Sequence, residues 1–154
     1  MNESETRFYN MAKKQNFGIK HATSYQDKVE HWDFKVWKGD RNLTIEVKGL
    51  KRLNRRDGKT QNEWIWVELT GITGHDGWLY GKADFIAFET EYGFLLIKRT
   101  LLESLICRKV NFNAWVTMGE DAKYKLYRRF GRKDKLTLIN IKDIEAETHI
   151  EWID

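Results

Sequence analysis

The sequence predicts a mixed α/β fold, a central mixed β-sheet flanked by helices, on three observations. Several short segments alternate apolar and polar residues with period two, two others place apolar residues at helical spacing, and their order is helix, hairpin, further strands, helix, strand. The 154 residues are 41% hydrophobic and 14% aromatic, enough to build a core without disulfides or a structural metal. No repeat, low-complexity tract or linker-like composition interrupts the chain, and it has no Pro, so a single domain over 1–154 is expected.

Residues 3–16 set Phe8, Met11 and Ala12 on one helical face, with Ser4 as the expected N-cap and Gly18 ending the pattern. DFKVWKG at 33–39 and LTIEVKG at 43–49 alternate cleanly around Gly39, Asp40, Arg41 and Asn42, which reads as a β-hairpin. EWIWVELTGI at 63–72 alternates again, with Trp64, Trp66 and Glu68 on one face and Ile65, Val67 and Leu69 on the other. WLYG at 78–81 is expected as a short strand, and DFIAFE at 84–89 and FLLIKR at 94–99 as central strands joined by Glu91, Tyr92 and Gly93. TLLESLICR at 100–108 has helical spacing behind a Thr cap, with Cys107 expected as a buried thiol without chemistry. KLTLINI at 135–141 is a late strand leading into a short acidic segment.

Net charge is +4, unevenly spread. Five acids and no cation follow Lys142, leaving 27 cations against 18 acids, or +9, in the first 142 residues. Two clusters hold much of this charge: KGLKRLNRRDGK at 48–59 and KYKLYRRFGRKDK at 123–135. Aromatic residues interleave the second, and two such clusters in one small chain favour contact with a phosphate backbone. The expected contacts are Lys51, Arg52, Arg55 and Arg56, with Lys82, Arg128 and Arg129. The polar start MNESETRFYN has no signal-peptide core, and no apolar stretch reaches the roughly 20 residues that span a bilayer. A soluble, cytoplasmic chain with no membrane partner is the expectation, and its compact, Trp-rich composition suits a phage protein.

The most informative residues lie in the hairpin. Glu46 and Lys48 alternate with Leu43, Ile45 and Val47, so they share the face opposite the core-packed side chains. Antiparallel pairing carries Asp33, at the start of the first strand, to Glu46 and Lys48 at the end of the second. Two close carboxylates repel unless a cation joins them, and their hard oxygens suit Mg²⁺ or Mn²⁺, with the Val47 carbonyl as a third ligand. Such an ion polarises a phosphate and acidifies bound water, while Lys48 orients that water. Acid-x-Lys triplets occur four times in the chain, so the strand context and the paired Asp33, not the triplet, carry the signal. The competing use of Glu46 and Lys48 is an ion pair on a solvated sheet face.

Asp33 followed by Glu46-Val47-Lys48 in TIEVKGL resembles the core of the PD-(D/E)XK nuclease superfamily, the restriction-endonuclease-like fold that includes Holliday junction resolvases and many phage and repair nucleases. His31-Trp32 precede Asp33 where the family usually has Pro. The resemblance implies a restriction-endonuclease-like core and a Mg²⁺-dependent endonuclease acting on DNA, including branched or junction DNA. It implies metal ligands at Asp33 and Glu46, Lys48 beside the attacking water, and Glu5 as the helix-one acid of resolvase-like members. Small nucleases of this type often act as dimers, which leaves a homodimer open. The alternatives are a nucleic-acid-binding or assembly module of the same fold without turnover, and an RNA-directed nuclease.

Other chemistries find no support. The histidines at 21, 31, 75 and 149 have no zinc-ligand spacing, GITGHDGWLYGKAD departs from a phosphate-binding loop, and no Ser stands beside a base. Gln61, Glu63 and Glu68 are expected to be solvated, and Trp64 and Trp66 to be packed against the fold.

Overall fold

A computed structural model describes all of residues 1–154. In chain order the elements are α1 (Glu3–Lys14), β1 (Gly18–His21), a π-helix (Gln26–Glu30), β2 (Phe34–Lys38), β3 (Arg41–Lys48), β4 (Trp64–Thr70), a 3₁₀ turn (Trp78–Tyr80), β5 (Phe85–Glu89) and β6 (Gly93–Lys98). Then follow α2 (Arg99–Lys109), β7 (Asn111–Val116), a 3₁₀ turn (Gly119–Asp121), β8 (Lys125–Tyr127), β9 (Lys135–Asn140), α3 (Ile141–Glu145) and β10 (His149–Ile153). The fold is mixed α/β with two mixed sheets and few helices. The chain folds into two compact units, one of Met1–Leu50, Gly81–Arg99 and His149–Asp154, the other of Lys51–Tyr80 and Thr100–Thr148. No helix is long and apolar enough to cross a membrane.

The first unit is a six-stranded sheet ordered β1-β2-β3-β5-β6-β10, with α1 on one face. Every neighbouring pair is antiparallel except β3 and β5, whose parallel pairing requires the chain to leave after β3 and return. The helix starts at Asn2, not at the expected Ser4. The Asn2 side chain accepts from the Glu5 N–H at 2.8 Å and the Glu5 carboxylate accepts from the Asn2 N–H at 3.3 Å, a reciprocal capping box. Ser4, two residues further on, donates instead to Glu89 at 2.9 Å. As the spacing predicts, Phe8, Met11 and Ala12 are buried, and they meet the alternate residues Phe34, Val36, Ile45, Val47, Phe94 and Leu96 of the sheet. Phe8 is the hub: its ring stacks on Phe34 and on Trp152 at 5.8 and 5.1 Å and meets Phe94 edge-on at 5.3 Å.

The second unit is a four-stranded sheet ordered β4-β9-β8-β7, with α2 and α3. The alternation of β4 is realised: Ile65, Val67 and Leu69 are buried, while Trp64 packs edge-on against Tyr124 and Trp66 lies tilted against Tyr127. In α2 the buried face is Leu102, Leu105 and Ile106. Cys107 falls on the opposite side of that helix and is exposed, which corrects the expected buried thiol. Trp78 and Leu79 are buried in a 3₁₀ turn rather than a strand, because three residues closed by a Tyr80 N–H to Gly77 carbonyl bond leave no ladder to join.

Removing the Phe8 ring leaves a cavity at the junction of one helix and three strands. Phe8→Ala is expected to cost about 3–5 kcal/mol, measured as a lower urea midpoint at unchanged m-value.

Candidate metal centre

The geometry of the site begins with a two-residue turn. Gly39 has φ of 61°, a left-handed conformation that glycine adopts without strain, and Gly39-Asp40 join β2 to β3 with Lys38 opposite Arg41 and Phe34 opposite Ile45. One step further Asp33 faces Glu46. The Asp33 N–H donates to the Ile45 carbonyl at 2.8 Å, and its carboxylate accepts from the Val47 N–H at 2.7 Å. In a strand the N–H and C=O of one residue point to the same side, so the Val47 carbonyl also opens past the end of β2.

Ile45 and Val47 belong to the core under α1, so Glu46 and Lys48 project from the other face of the sheet. Glu46 is only 5% exposed, which rules out a solvated-face ion pair. Lys48 Nζ stands 3.7 Å from its carboxylate. The structure thus brings together Asp33, Glu46, Val47 and Lys48. Glu5 is not among them, since its carboxylate closes the cap of α1.

The acid that joins the pair is Asp27. Carboxylate oxygens of Asp27, Asp33 and Glu46 lie within 4.8 Å of one another. Asp27 is held by a segment braced at both ends. At its start Thr23 and Gln26 cap each other, with N–H to side-chain bonds of 2.9 and 3.2 Å. At its end Trp32 is buried, its indole donates to Glu30 at 3.0 Å, and His31 takes a left-handed φ of 60°. A non-glycine residue in that region costs on the order of 1 kcal/mol or more and persists only where its surroundings fix it. The π-helix between these braces carries Asp27. Its signal in the sequence is Thr23-x-x-Gln26, a helix-start pattern that sets Asp27 in a first turn six residues before Asp33.

Electrostatics disfavour full ionisation of the three acids. Burial pushes the Glu46 carboxyl well above its ordinary range, Lys48 partly offsets this, and Asp33 and Asp27 push it further. Asp27 is raised as well, by burial and then by Asp33. Three hard carboxylates around one point, with a backbone carbonyl opening nearby, fit Mg²⁺ or Mn²⁺ better than a softer ion. The cluster could hold such an ion, with one ammonium standing beside it.

The expected cationic contacts are distributed differently. Lys82 pairs with Glu30 of the π-helix at 3.8 Å and so flanks the segment bearing Asp27. Lys51, Arg52, Arg55 and Arg56 are exposed at the opening of the second unit, where Arg52 donates to the Arg55 carbonyl at 3.1 Å and braces the loop. Arg128 is exposed in the same unit, while Arg129 is tied to the buried Asp134 at 2.9 Å. Gln61 is no solvated side chain: it bonds the Trp64 backbone at both ends, at 2.8 Å each.

A carboxyl group whose pKa is raised by folding holds its proton more tightly in the native state. Stability is therefore greatest below the ordinary Glu range and falls as pH rises from there towards the raised value. Glu46→Gln removes this penalty. In EDTA near neutral pH the variant is expected to melt at least about 3 °C above wild type, and the gap should close as pH falls below about 4. Mg²⁺ should raise the wild-type Tm and not the variant's; a variant that melts lower at neutral pH would contradict the electrostatic account.

The chain matches no protein-family model and no curated protein, so the chemistry of the site rests on its own atoms.

Proposed function

We propose that the chain is a divalent-metal-dependent endonuclease of the PD-(D/E)XK type that hydrolyses DNA phosphodiester bonds. One observation carries the reading: a buried Glu46 converges with Asp33, Asp27 and the Lys48 ammonium at the end of one β-hairpin. A helix on a hairpin whose second strand pairs in parallel with a later one supports a restriction-endonuclease-like core.

Asp33, Glu46 and Asp27, with the Val47 carbonyl, would hold Mg²⁺ or Mn²⁺. When bound, such an ion supplies Lewis acidity towards a phosphoryl oxygen and lowers the pKa of a coordinated water. The chain's own residues do the rest. Asp33 is fixed by the Val47 N–H, so its carboxylate keeps a set direction. Glu46, in its dry pocket, offers a negative charge that little solvent competes for. Lys48, 3.7 Å from Glu46, donates to the attacking water and opposes the charge that builds on the phosphorane oxygens. Attack at phosphorus breaks the bond to the 3′ oxygen, which leaves with a proton as a hydroxyl and keeps the phosphate on the 5′ end. Exposed cations at Lys51, Arg55, Arg56 and Arg128 contribute the salt-dependent backbone attraction such an enzyme needs.

The test is cleavage of supercoiled, linear, single-stranded and four-way-junction DNA with Mg²⁺, Mn²⁺ or EDTA. Cutting is expected only with metal. Asp33→Asn, Glu46→Gln and Lys48→Ala should each lower the rate about 100-fold or more, with DNA binding retained. Asp27→Asn should raise the Mg²⁺ concentration needed for half-maximal rate by about tenfold. No metal-dependent cutting of any of these substrates, or full activity in Glu46→Gln, would overturn the reading.

A further inference from the structure

The loop between β8 and β9 concentrates a different chemistry, wholly within the second unit. Residues 128–135, RRFGRKDK, hold five cations and one acid. That acid, Asp134, is buried and bound to Arg129 at 2.9 Å, so Arg128, Arg132, Lys133 and Lys135 have no acid of the loop to balance them. The loop is also rigidly turned. The Arg132 N–H donates to the Arg129 carbonyl at 3.1 Å, Gly131 takes a φ of 72° at the third position, and Arg128 Nε donates to the Arg132 carbonyl at 3.2 Å. At the second position of this turn Phe130 stands fully exposed.

A lone exposed apolar residue is ordinary. Here the ring stands at the tip of a hydrogen-bonded turn, among cations, and borders an open cavity of about 650 Å³. The same cavity is lined by Trp115, itself 48% exposed, with Lys135 Nζ 5.6 Å from the centre of its ring. Phosphates would meet the cations, and two aromatic faces would meet flat, apolar π-systems. A duplex hides its base faces in its own stack, whereas an unpaired strand offers them. An acidic peptide would use the cations and leave both rings without a partner.

We infer that the Trp115–Phe130 cavity binds an unpaired nucleic-acid strand, its bases stacking on the two rings and its phosphates meeting Arg128, Arg132 and Lys133. This rests on the nucleic-acid reading above and deepens it: the nuclease would engage DNA that carries a single-stranded portion. Arg129 is a positioning residue, since it holds Asp134 and the turn rather than a phosphate.

The experiment is fluorescence anisotropy of labelled oligo(dT) and oligo(rU) of about 20 nucleotides, and of a duplex of equal length, with the full chain in EDTA at fixed salt. Phe130→Ala and Trp115→Ala are each expected to weaken binding of the single strands by about 5- to 100-fold and of the duplex by less than about twofold. Phe130→Tyr should restore affinity. Because Phe130 is fully exposed, its removal should leave the Tm unchanged, which separates lost stacking from lost fold. Tighter binding of either oligo(dT) or oligo(rU) supports the inference and identifies the sugar. Single-strand affinity within about twofold of wild type in Phe130→Ala, or an equal loss on the duplex, overturns it. So does displacement of oligo(dT) by poly-glutamate at equal charge. Metal-dependent cutting by wild type without Phe130-dependent binding would sink this inference and leave the nuclease reading. Phe130-dependent binding without cutting would do the reverse.

Discussion

The register of the β2–β3 hairpin is the constraint on which the candidate site depends. Side chains alternate strictly along a strand, so a slip of one residue would carry Glu46 and Lys48 under α1 and turn Ile45 and Val47 outward. Two features fix it independently. The Gly39-Asp40 turn permits only one pairing at the closed end, and the Asp33 carboxylate clamps the Val47 N–H at the open end. The second is unusual in purpose, because a side chain completes the ladder where backbone pairing stops. Asp33 is at once a structural cap and a member of the acidic cluster, so a change there alters both the ladder and the cluster.

The electrostatic design follows from where that register places Glu46. A carboxylate on an open sheet face would titrate normally and attract an ion only weakly. Buried beside Asp33 and Asp27, it is held where folding disfavours its charged form. Lys48 can offset only a single charge of the three acids.

Much of this was legible in the sequence where local pattern and tertiary burial coincide. Alternation marked β2, β3 and β4, short apolar runs marked β5, β6 and β9, and the alternation of the hairpin put Asp33, Glu46 and Lys48 together. The failures have physical causes. Gly18–His21 is too short to alternate visibly and is a strand only because β2 offers it a partner. Ser4 and Asn2 are both good caps, and the Glu5 three residues after Asn2 decided between them. That same box occupies Glu5, while Asp27 reaches the site through a π-helix, a geometry that no period-3.6 or period-2 pattern detects. Cys107 sits among apolar neighbours in sequence but faces away from them on the helix. The chain passes between its two units four times, so neither forms a long continuous stretch that composition could mark.

The aromatic stack joins residues from opposite ends of the chain, and this sets the order in which the protein can be made. Phe8 precedes every residue of the second unit in the chain and Trp152 follows them all. The second unit can close while the first still lacks its edge strand and one wall of its core. The sheet that holds the acids is therefore completed only after the whole second unit has been made.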